Sequence, residues 1–70
     1  MTKQEAISVI LSDKEHYRTS LNYAVGYCRA ARSMEGDELR VQCLYILNNI
    51  VHWRHPLAKQ VRAALRGKGE

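Results

Sequence analysis

The chain has 70 residues, with 11 lysines and arginines against seven acidic residues and a formal charge of +4 at neutral pH. Its hydrophobic fraction of 46% is ordinary for a globular protein and too high for a disordered one. No apolar run reaches the roughly 20 residues that cross a bilayer, and the first residues lack the pattern of a secretory signal. We therefore expect one cytoplasmic domain over residues 1–70, with reduced thiols and no membrane partner.

The first residues carry a helix start. Thr2 and Glu5 have the spacing of a capping box, in which each side chain accepts a hydrogen bond from the other residue's backbone N–H. Apolar residues follow at helical spacing, namely Ala6, Ile7, Ile10 and Leu11. Ser12 and Glu15 form a second such box, so we predict a break there and a new helix. One continuous helix to about Ser33 is the alternative.

The middle of the chain predicts a helical hairpin. Its helices cover residues 13–34 and 38–54, with a left-handed turn at Gly36 and Asp37 capping the second helix. The first helix carries a heptad seam of Tyr17, Leu21, Ala24, Cys28 and Ala31. The second carries a wider stripe of Leu39, Cys43, Leu44, Ile46, Leu47, Ile50, Val51 and Trp53, so we expect it to lie centrally.

A reversal at Gly36 brings defined residues level with one another. Residues whose numbers sum to 71 become neighbours, which places Cys28 beside Cys43. The other level pairs are Ala24 with Leu47, Leu21 with Ile50, and His16 with His55. We interpret the two cysteines as small hydrophobic residues in a reduced core, because their spacing has no redox or zinc motif.

A short last helix follows Pro56, which suits the first turn of a helix with His55 just outside it. Apolar residues mark one face of this helix, namely Leu57, Val61, Ala64 and Leu65. Gly67 ends it, and residues 67–70 form a frayed tail. The predicted fold is therefore an all-α small bundle, a hairpin flanked by short N- and C-terminal helices and completed by dimerisation.

Dimerisation is predicted because burial looks incomplete. A chain of this size buries only roughly 60% of the surface that its unfolded form exposes, so a second copy commonly adds stability. Several large side chains lie away from the predicted seam or at the edge of the central stripe. We assign them to a homo-oligomer interface, most simply a two-fold dimer: Tyr23, Tyr27, Met34, Leu44 and Val51.

Helical spacing predicts a basic face on the last helix, made of Lys59, Arg62 and Arg66 with Arg54 nearby. Such a face could contact nucleic-acid phosphates, an acidic protein or an anionic lipid, or it could simply be solvated. A helix-turn-helix reader is disfavoured, because the helix before Pro56 is long and apolar and the helix after it lacks Asn and Thr for base edges.

Catalytic and metal sites are not predicted. His16, His52 and His55 could hold zinc or nickel at one end of the hairpin, but Pro56 disturbs the helix there and Glu15 is the one acidic residue nearby. The serines lack a glycine-framed turn, and no nucleophile stands beside a base. We therefore expect no enzyme, no cofactor and no metal.

The leading interpretation is a non-enzymatic helical interaction module that acts as a homo-oligomer and binds another macromolecule. That partner is more readily a protein than a nucleic acid. The alternative is a nucleic-acid-binding module that places Arg54, Lys59, Arg62 and Arg66 against phosphates.

Overall fold

The structure, a computed structural model, describes residues 1–67. In chain order these residues form α1 (Lys3–Ser12), a 3-10 turn (Lys14–His16), α2 (Ala24–Ala31), α3 (Gly36–Asn48) and α4 (Ala58–Arg66). The α1 and α3 helices each pack against both α2 and α4, so α1 and α3 lie on opposite sides of a small bundle. The all-α class is confirmed. No helix within residues 1–67 has the length and apolar character needed to cross a membrane.

The α1 helix begins and ends where the sequence predicts. The Thr2 hydroxyl accepts from the Glu5 N–H at 3.0 Å, and the Glu5 carboxylate accepts from the Thr2 N–H at 2.7 Å. The helix stops at Ser12, and Asp13 leaves helical geometry with φ −90° and ψ 68°. The predicted break is therefore confirmed. The apolar face of α1 is buried through Ala6, Ile7 and Ile10.

The second predicted helix is shorter than expected. Residues 17–23 form turns, so only Ala24–Ala31 of the predicted span 13–34 is α-helical. Polar and β-branched residues such as Thr19, Ser20 and Asn22 have low helix propensity, because their side chains compete for backbone hydrogen bonds. The predicted capping box of Ser12 and Glu15 is wrong, because the Ser12 hydroxyl donates to the Val9 carbonyl and the 3-10 turn that follows has no side-chain cap.

The hairpin itself is confirmed, since α2 packs along α3. Gly36 has φ +62°, the left-handed conformation that glycine adopts at low cost. Cys28 and Cys43 are both fully buried, as are Leu21 and Ile50. The predicted seam therefore forms the centre of the core.

The predicted cap at Asp37 is wrong. Its carboxylate instead accepts a hydrogen bond from Arg40 Nε at 2.8 Å, within the first turn of α3. The residue before the helix, Glu35, makes no side-chain cap either. The acidic residues of this first turn, Asp37 and Glu38, still favour the positive end of the helix dipole.

The α3 helix ends at Asn48, six residues before the predicted end at Arg54. Asn49 folds back so that its Nδ2 donates to the Tyr45 carbonyl at 2.8 Å, which competes with continued helical hydrogen bonding. A turn through residues 49–53 still delivers Trp53 to the core, where it is 1% exposed.

The α4 helix begins at Ala58, after a turn through residues 56–57, and Leu57 before it makes no side-chain cap. The His55 Nδ1 accepts from the Leu57 N–H at 3.0 Å, and the His55 carbonyl accepts from the Ala58 N–H at 2.9 Å. Pro56 lies in the turn two residues before Ala58, so its predicted place in the first turn of the helix is wrong. Gly67 ends the helix as predicted, and the rest of the predicted frayed tail lies outside the described residues.

Candidate interaction surfaces and a buried polar cluster

Large exposed side chains on α2, on α3 and at the residue before α2 are grouped here as the tyrosine face: Tyr23, Tyr27, Val41 and Tyr45. Tyr23 is 73% exposed and Tyr45 is 51% exposed. The rings of Tyr27 and Tyr45 stack across the two helices, with centroids 5.9 Å apart and planes at 24°. Gln42 ties the helices together beside them, because its Nε2 donates to the Tyr27 carbonyl at 3.0 Å.

The predicted interface residues divide among three places. Tyr23 and Tyr27 lie on the tyrosine face. Leu44 and Val51 are also exposed, but they lie toward α4. Met34 is half-buried and packs against the chain's own core, so an intramolecular contact already accounts for it.

A groove runs between α3 and α4, here called the α3/α4 groove. Three apolar side chains and three polar ones line it: Leu44, Leu47, Val51, Asn48, Arg62 and Arg66. Val51 is 66% exposed and Leu44 is 45% exposed, so the apolar lining is open to solvent. The groove therefore combines an apolar floor with two guanidinium groups.

The predicted basic face is divided by the structure. Arg54, Lys59 and Arg66 are exposed, whereas Arg62 is half-buried. The Arg62 Nη2 donates to the Ile50 carbonyl at 2.8 Å and to the Trp53 carbonyl at 2.7 Å. Arg62 therefore fastens α4 to the turn after α3, which is a structural contact that its sequence spacing did not indicate.

A partly buried polar cluster occupies the end of the bundle where α1 stops. It consists of Asp13, His16, Trp53 and His55, here called the Asp13 cluster. The Asp13 Oδ2 accepts from Trp53 Nε1 at 2.8 Å and pairs with His16 Nδ1 at 2.8 Å, and the Asp13 side chain is 8% exposed. His55 stacks on the Trp53 ring at 5.2 Å and 27°.

The pKa of Asp13 reflects these contacts. Desolvation disfavours its charged form, but the hydrogen bonds from Trp53 and His16 and the nearby imidazoles of His16 and His55 outweigh it, so the pKa is lowered. The carboxylate is thus held in its ionised form as an acceptor for two rings. The sequence could not reveal this partnership, because 40 residues separate Asp13 from Trp53.

The predicted histidine grouping forms only in part. His16 and His55 both lie near Asp13, whereas His52 is exposed in the turn after α3. Within residues 1–67, the one group with metal-ligand spacing is Asp13, Glu15 and His16, whose ligand atoms lie within 4.8 Å of one another. Asp13 and His16 are already bonded to each other, and Glu15 is exposed.

The two thiols behave as core atoms. Burial raises the pKa of Cys28 to about 12, and the neighbouring Cys43 adds to the effect. Burial likewise raises the pKa of Cys43, although the charge of Lys3 lowers it in part. Protonated, enclosed thiols are poor nucleophiles, which fits the interpretation of both cysteines as packing residues.

Two side chains near the N-terminus were not singled out from the sequence. Lys3 is 3% exposed, and its ammonium group donates to the Gly67 carbonyl at the end of α4. Gln4 Nε2 donates to the Ala31 carbonyl at 2.9 Å and the Met34 carbonyl at 3.3 Å, beyond the end of α2. The free carbonyls at the C-terminal end of a helix need donors of this kind, but the sequence does not show which distant residue supplies them.

The tyrosine face and the α3/α4 groove both present open apolar area, and two arginines line the groove. The Asp13 carboxylate is bonded to two rings of the chain, and both thiols are buried. Comparisons of the chain with protein families, curated proteins and solved structures gave no match.

Proposed function

We propose that this chain is a non-enzymatic interaction module that works as a homodimer joined through the tyrosine face. The observation that carries the proposal is the stacked pair of Tyr27 and Tyr45, which are 40% and 51% exposed. A tyrosine ring gains large contact area with few rotatable bonds, and aromatic residues are enriched in the centres of protein interfaces.

A second copy is the simplest occupant of this face. In a two-fold arrangement the same patch serves both chains, so one exposed aromatic cluster supplies both sides of the contact. The opposite helix gives a useful contrast, since the outward residues Glu5, Ser8 and Ser12 of α1 are polar. Burying the tyrosine face would add apolar contact to a domain that is too small for an extensive core.

Non-enzymatic action and a cytoplasmic setting are parts of the same proposal. Both cysteines are unpaired and enclosed, which fits a reducing compartment. The candidate acid–base groups Asp13 and His16 are bonded to each other beside a buried indole. These contacts support a structural role for that end of the bundle.

Sedimentation equilibrium of the wild type, Tyr45→Asp and Ser8→Asp tests the dimer. The wild type and Ser8→Asp should be dimers at about 100 µM, whereas Tyr45→Asp should be a monomer, because burying an unpaired carboxylate opposes association. Ser8→Asp adds the same charge to the exposed face of α1. Circular dichroism should show unchanged helix content in both variants.

A monomeric wild type at that concentration would refute the proposal. A dimer that survives Tyr45→Asp would place the contact elsewhere on the molecule.

Nucleic-acid binding is the second candidate, favoured by the exposed Arg54, Lys59 and Arg66 and by the lack of any acidic residue in α4. If it operates, a random oligonucleotide should bind at low salt, and affinity should fall steeply as salt rises. Lys59→Glu and Arg66→Glu should each weaken that binding. An oligonucleotide that does not bind at low salt would reject this candidate.

A further inference from the structure

The α3/α4 groove lies outside the tyrosine face and has a chemistry of its own. Its apolar flank is provided by Leu44, Leu47 and Val51, which are spaced three and four residues apart. Leu44 and Leu47 lie on α3, whereas Val51 lies in the turn after Asn48, so the flank continues past the end of the helix. Solvent-exposed leucine and valine in a groove are the usual anchor sites for the apolar side of an amphipathic helix.

The other edge of the groove is cationic. Arg62 and Arg66 are four residues apart on α4, so their side chains lie on the same side of that helix. No Asp or Glu is among the described residues that line the groove, and α4 carries none to neutralise this edge. The edge thus favours carboxylates at matching spacing on a partner.

Arg62 is held in place before any partner arrives. Its Nη2 is bonded to the Ile50 and Trp53 carbonyls, at 2.8 and 2.7 Å. A guanidinium group has five N–H donors in a rigid plane, so these two bonds fix its position and leave donors on its other nitrogens. Binding a carboxylate there costs little side-chain entropy, because Arg62 is already ordered.

We infer that the α3/α4 groove binds an acidic amphipathic helix of a partner protein. Leucine-type side chains of that helix rest on Leu44, Leu47 and Val51, and its carboxylates pair with Arg66 and with the free edge of Arg62. Nucleic acid suits this groove less well, because a floor of aliphatic side chains offers neither stacking nor hydrogen bonds to bases. The inference adds a second surface to the proposed dimer and does not depend on it.

A pair of synthetic helical peptides tests the inference. One fluorescein-labelled peptide carries leucines at positions i, i+4 and i+7 with flanking glutamates, and the other has every glutamate replaced by lysine. Fluorescence anisotropy should show binding of the glutamate peptide only. Arg66→Glu should weaken it at least about tenfold, since a paired cation becomes a like charge.

Matched variants separate the groove from the rest of the surface. Lys59→Glu changes an exposed cation of α4 that does not line the groove, so it should leave peptide affinity within about twofold. Val51→Asp should abolish binding by placing a carboxylate on the apolar flank. Tyr45→Asp should bind the peptide as the wild type does, even if it is monomeric.

Three results would overturn the inference. The first is equal binding of the two peptides, or binding of neither. The second is full affinity in Arg66→Glu. The third is displacement of the bound peptide by a short random RNA whose own affinity is lost in Arg66→Glu, which would assign the groove to nucleic acid.

Discussion

The Asp13 cluster and the α3/α4 groove differ in whether their side chains find partners within the chain. In the cluster, the Asp13 carboxylate bonds to both the Trp53 indole and the His16 imidazole, and the Asp13 side chain is 8% exposed. In the groove, Leu44 and Val51 stay exposed beside arginines. Titratable residues therefore mark the structural end of this bundle, and exposed apolar residues mark its candidate binding surfaces.

Two arginines of α4 show the same contrast at closer range. Arg62 and Arg66 stand one turn apart and look equivalent in the sequence. Arg62 donates to two backbone carbonyls of the turn after α3, whereas Arg66 is exposed. Charge and spacing alone do not distinguish a structural cation from one that is available to a partner.

The largest stability effect is expected at Asp13. Asp13→Ala removes the acceptor from an indole N–H that is buried with Trp53, so the free energy of unfolding should fall by about 3 kcal/mol. Urea denaturation measures the change. The control is Asp37→Ala, an exposed carboxylate paired with Arg40, which should cost less than about 0.5 kcal/mol. Equal losses in the two variants would contradict the structural role of the Asp13 cluster.

A smaller loss of stability is expected from Arg62→Met, which keeps the length of the side chain but removes its hydrogen-bond donors. Two carbonyls lose a charged partner, so unfolding should become easier by about 2 kcal/mol. Arg66→Met should change stability by less than about 0.5 kcal/mol. Thermal denaturation of both variants compares the two arginines directly. Similar melting temperatures would show that the hydrogen bonds of Arg62 to the turn after α3 do not stabilise the fold.

Low pH should reduce the stability that the Asp13 cluster provides. Because the pKa of Asp13 is lowered in the folded state, its contribution is complete above the ordinary aspartate pKa and is lost as pH falls through the folded value. Stability should therefore decline from about pH 5 downward. The decline should be shallower in Asp13→Asn, which keeps the lowered pKa of Glu5 but has no group to titrate at position 13. If the urea midpoints of the wild type and Asp13→Asn fall equally with pH, Asp13 is excluded as a source of acid sensitivity.

The smallest expected effect on stability is an increase, in Ser20→Ala. Within residues 1–67, Ser20 Oγ is the buried side-chain oxygen that lacks a hydrogen-bond partner. Ser20→Ala removes that unsatisfied group, so it should raise the free energy of unfolding by about 1 kcal/mol. Ser12→Ala is the comparison, since Ser12 Oγ donates to the Val9 carbonyl at 2.7 Å in an exposed position. A loss of stability in Ser20→Ala would mean that this hydroxyl is bonded in solution.

Local sequence signals predicted the features that depend on neighbouring residues. The Thr2 and Glu5 box, the break after Ser12 and the reversal at Gly36 each rest on a few adjacent positions, and each is confirmed. The seam through Cys28 and Cys43 followed from that reversal, because it fixes which residues lie level.

Features that depend on distant partners were not predicted. Helical spacing suggested helix over residues 17–23 and 49–54, but a stripe of apolar residues can also be buried by successive turns. What holds those turns is long-range, namely Asp13 with Trp53 and Arg62 with two carbonyls. The interface role of Met34 was likewise assigned without knowing that the chain's own core packs against it.

The contact between Lys3 and the Gly67 carbonyl brings the two ends of the described chain side by side. A short glycine linker could therefore join them, and the backbone could be reopened between Arg18 and Thr19, two exposed residues outside the α-helices. Such a circular permutant should keep the bundle and its surfaces. The order in which the helices are connected is then separable from the way in which they pack.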